Sequence, residues 1–418
     1  MATPVRRIIL VAAAVLAALA AWLVIPLLIA PVAQEAGECE RCLQLARFAP
    51  AEADEVMIVP AGGSLWAAMW RHPIREDLIF GGRLRGAMLS TTVGRNPVVF
   101  WRRGDKGGAV ISASLPRRIV LELLLSRRAK GQVLTKAGAL VVGETDFGFA
   151  ISKYVAISRE PGLLFVAHRN HPSIPGVIAP AISSLGLGEN SLSITTTMRD
   201  APPASTPLPR DLKHPKRAVL SVALGTVTAI AGEWDRLFPF DANGMGAGLV
   251  AIYGVESGAF LPRVRGVVVA STSERDPVAL LDRIVPAIDG SVSTIRHRDG
   301  LVIARREAMG LAGEAAIVDG HALLALDGTS MDLFLDDRAT ALPTAEDSDW
   351  SLRVRPAELR LAIRSASDSL GYKLLSKGTR NSVKSLSRGL GWLEGAQSAT
   401  VERSSAGGQG RVTCTIEW

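Results

Sequence analysis

The longest apolar run opens the chain. Residues 8–30 read IILVAAAVLAALAAWLVIPLLIA, about 23 residues without a charge, which predicts one helix long enough to cross a bilayer. Arg6 and Arg7 precede it, and Glu35, Glu38 and Glu40 follow it. The positive-inside bias then predicts a cytoplasmic tail at residues 1–7 and export of nearly everything after residue 30. A cleaved signal peptide is the competing reading, but signal h-regions run only about 7–15 residues. The sequence therefore predicts a single-pass protein of a bacterial inner membrane, held by residues 8–30, with its bulk in the periplasm.

Residues 31–52 read as a juxtamembrane spacer. From residue 53 the pattern becomes short apolar runs separated by turn signals. Strands are predicted at Glu55–Val59, Ala87–Val93, Pro97–Arg102 and Ala109–Ala113, and helices at Ser64–Trp70 and Leu115–Ser126. A hairpin is expected across Val133–Leu134 and Ala139–Val142. A second joins Tyr154–Ile157 to Leu163–Val166 through Glu160, Pro161 and Gly162. Residues 201–216, rich in proline, read as a linker.

The same order recurs beyond that linker. Gly266–Ala270 matches Gly108–Ser112, Pro277–Ile288 matches Leu115–Ser126, Gly290–Val292 matches Gly131–Val133, and Leu301–Ile303 matches Leu140–Val142. Asp319–Leu324 matches Pro161–Val166, all at an offset of about 160 residues. A third opening starts near Trp350, with a helix over Tyr372–Leu393 and a closing hairpin of Gln397–Glu402 with Arg411–Ile416. The expected fold class is α+β. It comprises an N-terminal transmembrane helix, a repeat unit at 53–200, a second at 217–340 and a C-terminal half unit at 341–418. The sheets are antiparallel or mixed, with helices on one face. This layout resembles membrane-anchored exported bacterial proteins of uncharacterised function with duplicated α+β units. The resemblance is architectural and implies no activity.

Composition narrows the chemistry. The formal charge is +7, and aromatic residues make up 5% of the chain, which disfavours an aromatic sugar or nucleic-acid platform. A basic surface outside the cytoplasm meets anionic lipid or cell-wall polymer first, and nucleic acid is not an expected partner. Three cysteines make no disulfide framework. Cys39 and Cys42 form a C-x-x-C whose readings are a local disulfide or incidental thiols, an inter-chain link, a metal site or a redox pair. Cys414 reads as a small buried apolar residue of the terminal strand. His168 and His171 read as a surface loop, and the acids Asp332, Asp336, Asp337, Glu346, Asp347 and Asp349 as a solvated second linker.

No nucleophile elbow, zinc-protease helix or P-loop is present. No catalytic residue, cofactor or metal is expected. Lys373, Lys377, Arg380, Lys384 and Arg388 recur three or four residues apart on the last long helix and so share one face. That face either contacts an anionic membrane or acidic partner or is simply the wet side of an amphipathic helix. The function read from these features is an extracytoplasmic binding or assembly module, an accessory or scaffold subunit with envelope protein partners. The alternatives are a carrier or sensor holding an apolar or lipid ligand between two lobes, and a thiol- or metal-dependent envelope enzyme.

Overall fold

The computed structural model describes residues 33–62, 93–112, 133–169, 179–199, 208–225, 247–256, 263–284, 291–343 and 348–418, apart from single or paired positions within them, and residues 17, 18, 65, 68, 69 and 72. They fall in two units, Met1–Ala201 and Pro202–Trp418.

Unit 1 contains β1 (Gln34–Glu35), α1 (Glu40–Ala46), β2 (Glu55–Val59), β3 (Val98–Arg103), β4 (Lys106–Ser112), β5 (Val133–Lys136), β6 (Ala139–Val142), α2 (Ser152–Val155), β7 (Pro161–Gly162), β8 (Leu164–His168), β9 (Ala181–Leu187) and β10 (Ser191–Arg199). Eight strands pair antiparallel in the order β5–β6–β4–β3–β2–β8–β9–β10. Alternation sorts the side chains: Val99, Trp101, Val110 and Val141 pack under Leu45 and Ala46 of α1 and Tyr154 of α2. Val98, Ile111 and Leu140 pack together on the opposite face. Gly108 makes room for the indole, since a Cβ there would lie 2.4 Å from the Trp101 ring and 2.3 Å from the Val142 carbonyl oxygen.

Unit 2 contains β11 (Lys213–His214), β12 (Leu220–Leu224), β13 (Gly248–Glu256), β14 (Arg263–Ser271), α3 (Pro277–Ile284), β15 (Val292–Arg298), β16 (Leu301–Ala308), β17 (Leu311–Val318), β18 (His321–Ala325), α4 (Gly328–Asp337), β19 (Leu342–Pro343), β20 (Ser348–Val354), α5 (Pro356–Ser367), α6 (Lys377–Trp392), β21 (Ser398–Ala406) and β22 (Gln409–Glu417). Its sheet runs β15–β16–β17–β18–β14–β13–β12–β20–β21–β22, again antiparallel throughout.

The α+β expectation is corrected. Among the described residues the protein is mostly β, with 48% strand and 25% helix. Paired strands supply most backbone partners, and several helices are only one or two turns long. Helices do not share one face either. Along β14, Val267 and Val269 pack with Met331 and Phe334 of α4, whereas Val268 and Ala270 pack with Leu280 and Leu281 of α3. The transmembrane helix expected at 8–30 lies outside the described residues except for Ala17 and Ala18. Among the described residues, no helix is long and apolar enough to cross a membrane.

The C-terminal half unit is also revised. β20 pairs with β12 from Leu220↔Val354 to Leu224↔Trp350, so residues 348–418 extend the sheet of unit 2. Pairing reveals a correspondence between the units: β17–β18–β14–β13–β12–β20–β21–β22 repeats β5–β6–β4–β3–β2–β8–β9–β10. Three of the sequence matches fall elsewhere, since Val292 opens β15 rather than β17, Leu301–Ile303 lies in β16, and Asp319–Leu324 leads into β18 rather than an equivalent of β8. The match of β4 with β14 aligns Val110 with Val268, which face different layers; a one-residue slip in a strand reverses its faces.

The segments read as spacer and linker carry structure. β1 pairs with β7, and α1 is buried through Cys42, Leu45 and Ala46. Leu208, Leu212 and His214 are buried in unit 2, and β11 pairs with β19. Tyr154, expected in a strand, lies in the single turn of α2, where its ring stacks on Phe149 at 5.2 Å. The expected helix at 115–126 and most of the strand at 87–93 lie outside the described residues.

Candidate functional site

The features most suggestive of binding lie between β20 and β21. α5 begins at Pro356, suited to a first helical turn. It ends where the Ser367 hydroxyl donates to the Ile363 carbonyl at 2.7 Å. The connection is tied back onto the next helix: Ser369 Oγ accepts from the Tyr372 N–H at 3.2 Å, and the Tyr372 hydroxyl donates to the Arg380 carbonyl at 3.4 Å. Ser376 caps α6 by accepting from the Thr379 N–H at 3.2 Å.

These contacts frame a cleft of about 340 Å³ lined by Ser367, Tyr372, Lys373, Lys377, Arg380, Asn381 and Lys384. Four of the five cations singled out in the sequence therefore meet in one cleft, and Arg388 stands exposed one turn beyond Lys384. Among the described residues, no carboxylate lines the cleft. Among the described residues, none of these five side chains forms an ion pair. Ser367, Tyr372 and Asn381 were not foreseen as lining residues; only Asn381 carried a signal, lying one turn after Lys377.

The placement of charge works against helix stability. α6 has no acid in its first turn and no base in its last, while Lys377 and Arg380 sit at its N-terminal end. There the helix dipole is positive and favours anions. Like charges three or four residues apart repel by roughly 0.2–0.5 kcal/mol per pair. Folding alone does not explain this row of cations, whereas an anion in the cleft would neutralise it. Leu386, 53% exposed, lies on the opposite flank of α6 and is not part of the cleft.

The cysteine pair is elsewhere. Cys39 and Cys42 form a disulfide, with Cys39 as N-cap of α1 and its sulfur accepting from the Cys42 N–H at 3.3 Å. Cys42 is buried in the core of unit 1. The adjoining cavity, lined by Leu43, Ile58, Val155 and Phe165 among others, is about 20 Å³, room for one water and not for a lipid chain. Among the described residues, no group of three potential ligands is arranged to hold a metal. Cys414 is half-buried with a free thiol whose pKa is raised by burial.

His168, read as part of a surface loop, and His214 prove to be core groups. His168 Nε2 meets Ser183 Oγ at 2.9 Å, and Ser183 meets Thr196 at 2.8 Å. Its Nδ1 lies 3.4 Å from Glu55, at ion-pair distance but outside hydrogen-bond geometry. Burial lowers the His168 pKa, with Glu55 opposing. His214 lies between Ser221 at 2.7 Å and Ser351 at 2.9 Å, and burial with nearby Arg353 pushes its pKa down to about 4. His171 lies outside the described residues. The acids read as a linker are partly structural: Asp332 accepts from Arg296 and Arg298 at 2.9 and 2.6 Å, and Arg296 also grips the buried Glu314. Asp337 is buried and accepts from the Arg217 N–H at 2.6 Å. Such paired charges account for the burial of these acids, whereas the cleft cations form no ion pair among the described residues.

Comparison with known proteins finds no matching family model, no similar curated protein and no similar solved structure.

Proposed function

We propose that this chain is an extracytoplasmic binding module at a bacterial inner membrane, an accessory or scaffold subunit of an envelope complex, whose α5–α6 cleft engages anionic lipid headgroups. The observation that carries the reading is the convergence of Lys373, Lys377, Arg380 and Lys384 on one cleft without a lining carboxylate. Cations beside a membrane attract its anionic lipids by about 1 kcal/mol each. The uncharged run at 8–30 supports membrane association, and the Cys39–Cys42 disulfide is consistent with an oxidising compartment.

Native mass spectrometry of the full chain from micelles of mixed phosphatidylcholine and phosphatidylglycerol tests the lipid contact. The expected result is retained phosphatidylglycerol that is lost in the double variant Lys377→Glu with Lys384→Glu. Retention that does not distinguish the two lipids, or that survives in the variant, would overturn it. Pull-down from native membrane in mild detergent tests the assembly role, which predicts stoichiometric protein partners; their absence counts against a scaffold.

A further inference from the structure

We infer that the cleft takes a diphosphate, two linked phosphoryl groups, in preference to a single phosphodiester. The inference rests on the reading of the cleft as an anion site and concerns which anion fits it.

Charge is the first argument. A phosphodiester headgroup brings about one negative charge, and a diphosphate brings about two or three, because each phosphoryl group carries more than one near neutral pH. Against Lys373, Lys377, Arg380 and Lys384, a single phosphodiester leaves most of the positive charge unopposed. Two phosphoryl groups come close to balance.

Length is the second. Lys377 and Lys384 are two turns apart on α6, about 10.5 Å along its axis at 1.5 Å per residue. One tetrahedral phosphate engages both ends of that row only if the two lysine side chains converge on it. Two linked groups reach further along the row and need less convergence, with Arg380 between the lysines offering a planar fork to one phosphoryl group. Lys373, just before the helix cap, adds a donor from the connecting segment.

Rigidity is the third. The Tyr372 hydroxyl is committed to the Arg380 carbonyl, and Ser369 and Ser376 hold the backbone on either side. The Asn381 amide has no partner among the described residues and adds a neutral donor beside Lys377 and Lys384. Exposed lysines on a mobile loop would bind any anion by charge alone. A row on a capped helix facing a pinned loop selects by spacing.

The test titrates the full chain in mild detergent with inorganic pyrophosphate and with orthophosphate by calorimetry. Pyrophosphate is expected to bind at least about tenfold more tightly, the difference one further charge-assisted contact supplies. Lys377→Ala with Lys384→Ala should abolish the preference, the pair of Arg replacements at these positions should keep it, and Arg263→Ala on β14 should leave it unchanged. Native mass spectrometry with a polyprenyl diphosphate in the micelle separates the sources. Its retention over phosphatidylglycerol assigns a lipid-linked diphosphate, and tight pyrophosphate binding without it assigns a soluble one. Equal affinity for pyrophosphate and orthophosphate would overturn the diphosphate inference; if phosphatidylglycerol retention still depended on Lys377 and Lys384, the anionic-lipid reading would stand. No binding of any of these probes would overturn both.

Discussion

The two units share a strand order but not what hangs from it. In unit 1, β8 is followed by β9 after residues 169–180; in unit 2, the corresponding β20 and β21 are separated by residues 355–397, which carry α5, α6 and the cation cleft. The shared sheet is a scaffold, and the excursion from it holds the cation cleft. Their polar interiors differ as well. Unit 1 runs a line from Glu55 through His168 and Ser183 to Thr196, whereas unit 2 sets His214 between two serines. A duplicated architecture thus tolerates different internal polar networks, provided each buried group finds a partner.

The most damaging way to break the likeness is at paired glycines. Gly108 and Gly266 occupy matching places in the sequence, yet a Cβ at Gly108 would collide with Trp101 and the Val142 carbonyl. At Gly266 the nearest atom is the Ala251 carbonyl oxygen at 3.0 Å. Gly108→Ala should destabilise unit 1 by about 3 kcal/mol and Gly266→Ala should cost about 1 kcal/mol in unit 2. Urea unfolding followed by hydrogen exchange in each unit measures both; equal effects would show that the indole and the Val142 backbone both give way.

Acid should separate the units next. His214 has a folded pKa of about 4 against about 6.5 in an unfolded chain, so the unfolded state binds more protons between those values. Its contribution is intact above pH about 6.5 and falls by about 3 kcal/mol as the pH drops toward 4. His168 is also lowered, but Glu55 favours its protonated form, so unit 1 should lose less from its histidine. Unfolding midpoints between pH 7 and 4, with His214→Gln as the flattened control, check this. A wild-type slope matched by that variant would remove His214 as its source.

Reduction reverses the asymmetry. Closing the four-residue loop of Cys39 and Cys42 is worth about 2 kcal/mol in the chain-entropy account, all of it in unit 1. Cys39→Ser with Cys42→Ser should lower the stability of unit 1 by at least that amount, the hydroxyl introduced at the buried position of Cys42 adding to the loss, and leave exchange in unit 2 unchanged. Loss spread over both units would mean that they do not unfold independently.

These asymmetries also show what the sequence could reveal. The continuous β-branched run Val267-Val268-Val269 announces β14, a strand buried on both faces, and helical spacing announces the cation row. By contrast, β9 and β10 gave no signal, because Ser183, Thr196 and Thr197 are polar yet buried, their hydroxyl pairing hidden from any apolar pattern. β20 looked like the start of another unit because its partners β12 and β21 are remote in sequence, separated on one side by two helices. Asp332 and Asp337 looked solvated because Arg296 and Arg217 come from distant segments. Strand pairing and buried charge are non-local, so periodicity alone could not place them. The cleft was half legible: spacing put Lys377, Arg380 and Lys384 on one face of α6, whereas Lys373, expected on the same helix, precedes its Ser376 cap and reaches the cleft only through the fold.

The smallest expected effect is the sharpest test of why unit 2 keeps its excursion. Lys377 opens α6, where the dipole disfavours a cation and no acid compensates. Lys377→Glu reverses that conflict and relieves repulsion with Arg380. If the row serves only solubility, the variant should be more stable and otherwise equivalent. If it serves binding, the variant should gain roughly 0.5 kcal/mol of stability and lose phosphatidylglycerol retention. Thermal unfolding and native mass spectrometry on the same preparation separate the cases. A gain in stability with binding lost shows helix stability given up for an anion site; a gain with binding intact returns the basic face to an ordinary wet surface.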